Sequence, residues 1–239
     1  MSYQLHNYVI PWINPALPAS LKAIIYANGQ KVLYKKDEVA LYEYEKMDKL
    51  LFIEKGLFGQ AIINLRDDNK PFAMNLFTPD RLMGFLSLYS GSSSARRIMT
   101  LQDSVVISIS HNIILPLLEN NFSLYRDMAC YCELCSRSEL SGMVGLFTMT
   151  AEDRLRLLFV ILLCSAGYIF DKNNTDEWVR LPYSLRRRDI QKIIYSSQIT
   201  LDRLFSEWNK KGFIQKDRSK ALLVKISNLY PIYEWVLQQ

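Results

Sequence analysis

The chain has 239 residues, of which 49% are hydrophobic and 22% charged, and a net charge of +5; this ordinary globular composition can bury the core of one large domain or two modest ones. The longest strongly apolar run, residues 157–164, is far shorter than the roughly 20 residues of a membrane-spanning helix. Because residues 1–10 lack a basic start followed by an apolar core, we expect no signal peptide and a cytoplasmic location, in which the four cysteines are reduced thiols.

Up to about His111 the sequence predicts a β-rich domain. Several short runs alternate apolar and polar residues, and the breaks between them contain turn residues such as Asn28-Gly29 and Thr78-Pro79-Asp80. Many short strands at close spacing are typical of a β-sandwich or a β-barrel. The predicted strands are 31–34, 40–44, 50–54, 59–65, 72–77 and 104–109.

The region from about 113 to 166 is predicted to be helical, because helix-forming residues dominate it and Pro and Gly are scarce. After a polar loop at 172–177 the chain becomes basic. Between Arg180 and Lys225 it carries twelve Lys or Arg against four Asp or Glu, a local balance of +8 that leaves −3 for the rest. A basic segment joined to a mildly acidic body is the electrostatic footprint expected of a nucleic-acid-binding module.

The pattern within the basic segment predicts a helix-turn-helix. Apolar residues recur at i, i+3 and i+4 in 187–194, and after a break at Tyr195-Ser196 they recur at i, i+3, i+4 and i+7 in a second helix. Ser197 is placed to cap the second helix and Gly212 to end it. Two short amphipathic helices joined by a tight turn put the second helix into the DNA major groove. The inward residues of that helix are Leu201, Leu204, Phe205 and Trp208.

Beyond Gly212, two short apolar runs flank the polar turn Asp217-Arg218-Ser219-Lys220. The runs are Phe213-Ile214 and residues 221–226, and together they predict a β-hairpin. A hairpin in this position would be the wing of a winged helix. Periodicity alone is equally compatible with an ordinary helical hairpin followed by a strand pair.

The stretch from Arg187-Arg188-Asp189-Ile190 through Lys211-Gly212-Phe213-Ile214 resembles, without a gap, the C-terminal motif of the Crp/Fnr family of bacterial transcription regulators. Upstream, Phe52-Ile53-Glu54-Lys55-Gly56 resembles a barrel strand of that family. The segment 82–89, followed by Ser94-Ala95, resembles its effector cassette, and 145–154 resembles the end of its long dimer helix and the start of the next helix. The similarity is strong at the C-terminus and weaker in the barrel.

The resemblance implies an α+β fold with an N-terminal antiparallel jelly-roll β-barrel of the cyclic-nucleotide-binding type, a long dimerisation helix and a C-terminal winged helix-turn-helix. The corresponding boundaries are 1–118, 119–147 and 148–239. The implied protein is a homodimeric regulator of transcription that binds a palindromic operator in double-stranded DNA and contacts RNA polymerase. A response to stress or redox signals would depend on the cysteines of its long helix. No cofactor is predicted.

Helix geometry and the resemblance together predict the DNA-contacting residues. With the apolar face inward, Ile199, Arg203, Ser206 and Lys210 face outward, Gln198 lies at the N-terminal tip and Asp202 on the flank. The family's base-reading positions fall on Gln198, Ile199 and Arg203, and Asp202 is included with them. Phosphate contacts are expected from Arg186, Arg187, Arg188, Lys192, Ser197 and Lys210.

Departures from the family pattern argue against its usual ligands. Family members that bind cyclic nucleotides place a Glu and an Arg where this chain has Phe85 and Ser93, and each lost charge-assisted hydrogen bond costs about 1.5–3 kcal/mol. Arg96 and Arg97 follow closely, but a strand would point them to opposite faces. The dimer-helix positions that face the base are Glu139 and Leu140. The family's iron–sulfur centre is also excluded from its usual place, because no cysteine precedes Cys130.

Cys130, Cys132 and Cys135 fall within the predicted dimer helix. Cys132 and Cys135 share a helix face, whereas Cys130 points about 200° away from Cys132, so one chain cannot enclose a tetrahedral metal without unwinding. We therefore predict no metal site. Two interpretations remain: a thiol-based redox sensor near the two-fold axis, or small apolar residues that pack a helix seam.

The sequence predicts no catalytic residues. It contains only two histidines, His6 and His111, and it lacks Gly-rich phosphate loops, H-E-x-x-H patterns and G-x-S-x-G elbows. His111 follows a predicted strand and is expected to be a helix cap or a surface residue. The alternative to a DNA-binding regulator is a winged-helix module that binds another protein without contacting DNA directly.

Overall fold

The computed structural model describes residues 10–64, 70–93, 95–174 and 176–237. The chain forms two compact units, one of Trp12–Leu140 and the other containing the described residues from Ser141 onward. The helices formed by the described residues do not combine the length and apolar character that a membrane crossing requires.

The first unit contains two antiparallel sheets of four strands each. One has the order β1 (Gln30–Tyr34), β8 (Ser104–Ser110), β3 (Lys49–Lys55) and β6 (Leu82–Met83). The other has the order β2 (Val39–Leu41), β7 (Arg96–Thr100), β4 (Phe58–Asn64) and β5 (Lys70–Phe77). The short helix α1 (Ala19–Asn28) precedes the strands.

Both faces of the sheet with β3 and β8 are buried. Leu51, Ile53 and Val106 point into the space between the sheets. The alternate residues, among them Phe52 and Ile107, point the other way, into a core shared with helices. Because neighbouring residues of a strand face opposite sides, a sheet covered on both faces gives continuous apolar runs such as residues 50–53.

Three helices follow the barrel strands: α2 (His111–Glu119), α3 (Phe122–Thr148) and α4 (Ala151–Ser165). Thr150 caps α4, since its hydroxyl accepts a hydrogen bond from the Asp153 N–H at 3.1 Å. Helix α3 spans 27 residues, so the predicted long helix is confirmed.

The second unit ends in a winged helix-turn-helix. Its helices are α5 (Arg187–Ile193) and α6 (Gln198–Lys210), followed by the hairpin of β10 (Ile214–Lys216) and β11 (Leu222–Lys225). A third strand, β9 (Trp178–Arg180), pairs with β11, and a last helix, α7 (Ile226–Leu237), follows. The predicted α+β fold, with a jelly-roll barrel and a C-terminal winged helix-turn-helix, is thus confirmed.

The local differences from the predicted elements have physical reasons. The strand predicted at 40–44 ends at Leu41, and the chain turns at Tyr44, whose φ is +64°. Helix α1 was not predicted, because only two of its residues, Leu21 and Ile25, are fully buried. Strands β6, β7 and β9 were also missed; they hold two, five and three residues and owe their pairing to distant strands. Some predicted features lie outside the described residues: the end of the fourth predicted strand at Leu65, the turn at 67–69, Ser94 of the cassette and Thr175 of the polar loop.

Candidate nucleic-acid interface

Helix α6 is fixed in its rotation by its apolar face. Leu201, Leu204, Phe205 and Trp208 are buried, as predicted. The Phe159 ring of α4 contacts the rings of Phe205 and Trp208 at centroid distances of 6.2 and 5.9 Å. The Trp208 indole N–H donates to Glu152 at 3.0 Å, so its one polar group is satisfied on the inner side.

The two ends of α6 are set by the residues that the sequence indicated. The Ser197 hydroxyl accepts a hydrogen bond from the Thr200 N–H at 3.1 Å and caps the N-terminus. At the other end Gly212 has φ +67°, a left-handed conformation that ends helices at low cost for glycine. The Phe213 N–H then bonds back to the Trp208 carbonyl at 2.8 Å.

The opposite face of α6 is open to solvent. Ile199 is 83% exposed, an unusual position for a branched apolar side chain. The Arg203 side chain is 68% exposed, and its nearest acid is Glu207 at 3.9 Å, a distance typical of weak surface pairs. Ser206 and Lys210 are exposed on the same face. The structure therefore brings the predicted outward residues together.

Asp202 lies on the flank of this face and is engaged by two neighbours. Its carboxylate accepts a hydrogen bond from the Gln198 side-chain amide at 2.9 Å. The other carboxylate oxygen is 3.8 Å from an Arg187 nitrogen. Asp202 was predicted as a base-reading residue, and its contacts show that it can also orient Gln198.

Arg187 packs against Phe205 and keeps part of its side chain exposed to solvent. Its guanidinium lies 3.3 Å from the centre of the Phe205 ring, a cation–π contact that joins α5 to α6. Burial there lowers the pKa of Arg187, and the Asp202 carboxylate opposes that effect. The guanidinium remains charged, so a phosphate contact through its exposed part is compatible with this packing.

The remaining predicted phosphate residues lie at the start of α5, within α5 and at the two ends of α6. Arg186 forms a hydrogen-bonded ion pair at 2.6 Å with Asp189, whose side chain is 4% exposed. Arg188 is 3.9 Å from the same carboxylate, and its side chain is 61% exposed. Lys192 is half-buried, whereas Ser197 and Lys210 are exposed.

The wing carries basic residues that sequence reasoning did not single out. Lys216, Arg218 and Lys220 are exposed on the hairpin. The turn is rigid because Asp217 accepts hydrogen bonds from the Ser219 hydroxyl and from the backbone N–H groups of Ala221 and Ser219. These bonds, the Ser219 hydroxyl foremost, lower the pKa of Asp217. The local balance of +8 between Arg180 and Lys225 includes these three residues and is the sequence feature that could have identified them.

The region that resembles an effector cassette is closed by side chains. Phe85 is buried and packs edge-on against Tyr131 of α3 at 5.7 Å, while Ser93 is exposed. The pocket lined by Met47, Gln60, Phe85 and Arg96, among others, has room for about one water molecule.

Arg96 and Arg97 have different partners, as opposite strand faces require. Arg96 forms a bidentate pair with Glu139 of α3, with N···O distances of 2.6 and 3.1 Å. Arg97 forms a second bidentate pair, with Glu43, at 2.8 and 2.6 Å. Both arginines are therefore neutralised by carboxylates of the same unit.

The three cysteines of α3 differ in burial because they lie on different faces of the helix. Cys130 is exposed, whereas Cys132 is partly and Cys135 almost fully buried in the core shared by the barrel and its helices. Burial raises the pKa of Cys132 to about 11 and the pKa of Cys135 still further. Both buried thiols are therefore protonated at neutral pH, which disfavours oxidation because the thiolate is the reactive form.

His111 was expected at a cap or on the surface, and the surface placement is wrong. It is the first residue of α2, which Ser110 caps, and it is only 7% exposed. Burial lowers the pKa of His111, although Asp48 and the carbonyls of Lys49 and Gly84 oppose the shift. His6 lies outside the described residues.

No protein-family model matches the sequence. No curated protein matches it either.

Solved structures of Crp/Fnr-type regulators are similar to it throughout most of its length. FixK2 from Bradyrhizobium japonicum is 16% identical, with 86% of this chain and 96% of that chain covered and a TM-score of 0.69. CLP, a c-di-GMP responsive global regulator from Xanthomonas campestris, is 12% identical over 86% and 98%, with a TM-score of 0.66. A CooA mutant from Carboxydothermus hydrogenoformans is 13% identical over 92% and 95%, with a TM-score of 0.63. At these identities the similarity shows the fold: the chain has the fold of Crp/Fnr transcription regulators.

Proposed function

We propose that the protein is a homodimeric transcription regulator that binds a palindromic DNA operator through α6. The observation that carries this proposal is the outer face of α6, where Ile199 and Arg203 are 83% and 68% exposed on the second helix of a helix-turn-helix. The surrounding basic segment and the wing supply the positive charge that DNA phosphates require.

Each residue of the face has a distinct partner in the major groove. Arg203 can donate two hydrogen bonds to guanine, and Gln198 can pair with adenine. Ile199 can do neither, but its exposed side chain can pack on a thymine methyl group. Family members with Glu at the Ile199 position would read cytosine there, so the operator of this protein differs from theirs.

Dimerisation is supported by an apolar stripe on α3, defined by Leu140, Met143, Val144 and Phe147. The side chains recur at i, i+3, i+4 and i+7, and each is at least 50% exposed. Apolar side chains at this spacing form the seam in two-helix coiled coils, so we assign the dimer contact to this stripe. Two such helices would present two recognition helices to half-sites about 34 Å apart.

The test of the proposed function is selection from a pool of random DNA duplexes with the purified protein. We expect a palindromic site, bound with a steep salt dependence. Arg188→Ala should weaken all sequences alike and reduce the slope of log affinity against log salt by about one, because one phosphate contact is lost.

Lys31→Ala is the control for Arg188→Ala. The two side chains are similarly exposed, at 59% and 61%, but Lys31 lies on β1, outside the winged helix, so its removal should leave the slope unchanged. If no duplex is enriched even at low salt, the proposal is wrong, and that outcome favours the alternative of a winged helix that binds another protein.

Cyclic AMP is expected to leave the melting temperature unchanged. The Arg96–Glu139 pair and the Phe85 ring fill the region that resembles the cassette, and neither offers a free charge to a phosphate. A ligand present at 100 times its dissociation constant would add about 2.7 kcal/mol. Thermal unfolding at millimolar nucleotide, with the non-cyclic monophosphate as control, measures this; a shift of several degrees with the cyclic form alone would contradict it.

Peroxide is expected to act alike on the wild type and on a Cys132→Ser, Cys135→Ser variant, because burial keeps these two thiols protonated. Operator affinity before and after oxidation measures the effect. A change in the wild type that the double variant loses would identify Cys132 or Cys135 as a redox sensor. A Cys130→Ser variant tests the exposed thiol separately.

A further inference from the structure

Arg154 of α4 connects the ends of two helices. Its guanidinium donates hydrogen bonds to the carbonyls of Leu146 and Met149, at 3.1 and 2.7 Å, where α3 ends. It also donates to the carbonyls of Ile194 and Tyr195, at 2.7 and 3.2 Å, in the turn between α5 and α6. One side chain thus joins the end of the long helix to the turn before the recognition helix.

We propose that Arg154 is a positioning residue that sets the direction in which α6 leaves α3, and thereby the spacing of the two half-sites that the dimer recognises. This inference rests on the proposed function. The four hydrogen bonds of Arg154 all go to backbone carbonyls of the chain, so the proposed role does not include a DNA contact.

The chemistry of the site requires an arginine. The last carbonyls of a helix have no partner within the helix and carry partial negative charge, which a cation stabilises. Four carbonyls in two directions need donors on separate nitrogens in a planar fork, which a guanidinium has and an ammonium lacks. Burial lowers the pKa of Arg154, but the guanidinium remains charged.

The turn that Arg154 holds is conformationally demanding. Tyr195 has φ +49°, a left-handed conformation that costs energy for a residue with a side chain. The Ser196 N–H bonds back to the Gln191 carbonyl at 3.0 Å. The Arg154 bonds to Ile194 and Tyr195 fix this turn to α4 and the end of α3.

Helix α5 also packs on α6 through a contact in which Arg154 takes no part: the Arg187 guanidinium lies on the Phe205 ring. Ile190 of α5 and Leu201 of α6 are both buried. A change at Arg154 should therefore leave each helix-turn-helix able to bind one half-site. What it should alter is the geometry between two half-sites.

The experiment compares Arg154→Lys with the wild type on three duplexes: one half-site, the selected palindrome, and palindromes with one or two base pairs added at the centre. We expect half-site affinity to stay within about threefold. The advantage of the palindrome over the half-site should fall about tenfold or more, because the two helix-turn-helix units of the dimer no longer match the spacing of the half-sites without strain. The penalty for added base pairs should shrink in the same variant.

Arg156→Lys is the matched control, because it makes the same exchange two residues along the helix and keeps the positive charge beside the Trp208 ring and the Glu152 carboxylate. Arg156 is similarly half-buried, but its hydrogen bonds go to the side chains of Glu152, Asp153 and Asn228 and not to the carbonyls of either helix end. It should retain the spacing profile of the wild type. If Arg154→Lys also retains that profile, or if half-site and palindrome affinities fall in parallel, Arg154 has no positioning role.

Hydrogen exchange without DNA separates this inference from the proposed function. In Arg154→Lys the amides of Ile194 and Ser196 should exchange faster, while those of 201–208 remain as in the wild type. Unchanged exchange at Ile194 and Ser196 would show that Arg154 does not hold the turn, whatever the protein binds. Failure of the wild type to bind any duplex would instead overturn the proposed function.

Discussion

A Leu140→Glu, Val144→Glu variant is expected to be monomeric at micromolar concentration and to lose about 10²–10⁴-fold in operator affinity. Both side chains belong to the exposed apolar stripe of α3. In a two-helix seam the introduced carboxylates would face their counterparts across the two-fold axis, where desolvation and repulsion both oppose association. Loss of the second recognition helix removes the bivalent part of binding, which accounts for the expected magnitude.

Light scattering measures the oligomeric state, and titration with the selected palindrome measures the affinity. Leu33→Glu is the matched control, because Leu33 is 68% exposed on β1 and lies outside the stripe. The control should remain dimeric and bind as the wild type does. A wild type that is already monomeric, or a double variant that remains dimeric, would contradict dimerisation through α3.

Arg203→Ala should cost about 1–3 kcal/mol in operator binding and relax the preference at one base pair, since a bidentate contact to guanine carries discrimination of that size. The nearest acid, Glu207, is 3.9 Å away, so little is lost within the protein when Arg203 is removed. Competition among duplexes with each base at the affected position measures the effect.

Lys210→Ala provides the control on the same helix face, at the end far from the helix N-terminus. It should weaken all sequences alike, because a phosphate contact carries no base preference. If Arg203→Ala binds the selected operator with unchanged affinity and selectivity, the recognition face is misassigned even though the fold stands. Ile199→Glu should in turn shift the preference towards cytosine at its own position.

Local sequence determined the helix-turn-helix. The period of Leu201, Leu204, Phe205 and Trp208 specifies both the helix and its rotation, Ser197 its start, and Gly212 its end. These signals are sufficient to predict the helix, its rotation and its ends. An amphipathic helix has one face that must be buried, and its caps act on backbone groups only a few residues away. The exposure of Ile199 and Arg203 follows from the same geometry.

Local sequence did not predict the strands whose stability comes from distant partners. Strand β6 has two residues and pairs with β3, and β9 pairs with β11 more than 40 residues later. Neither shows a pattern long enough to be detected locally. The same reason explains α1, whose few buried residues gain their stability from the core shared with the barrel.

For the candidate site, the sequence determined which residue types surround α6, whereas the tertiary structure decided what each of them contacts. Asp202 supports Gln198, Arg187 lies on Phe205, and Arg154 holds two helix ends that are about 50 residues apart in the chain. Helical period predicts which side of a helix a residue occupies, because that depends only on rotation per residue. It cannot predict which distant carbonyl, ring or carboxylate will lie opposite, because those positions are set by how the helices and strands pack in three dimensions.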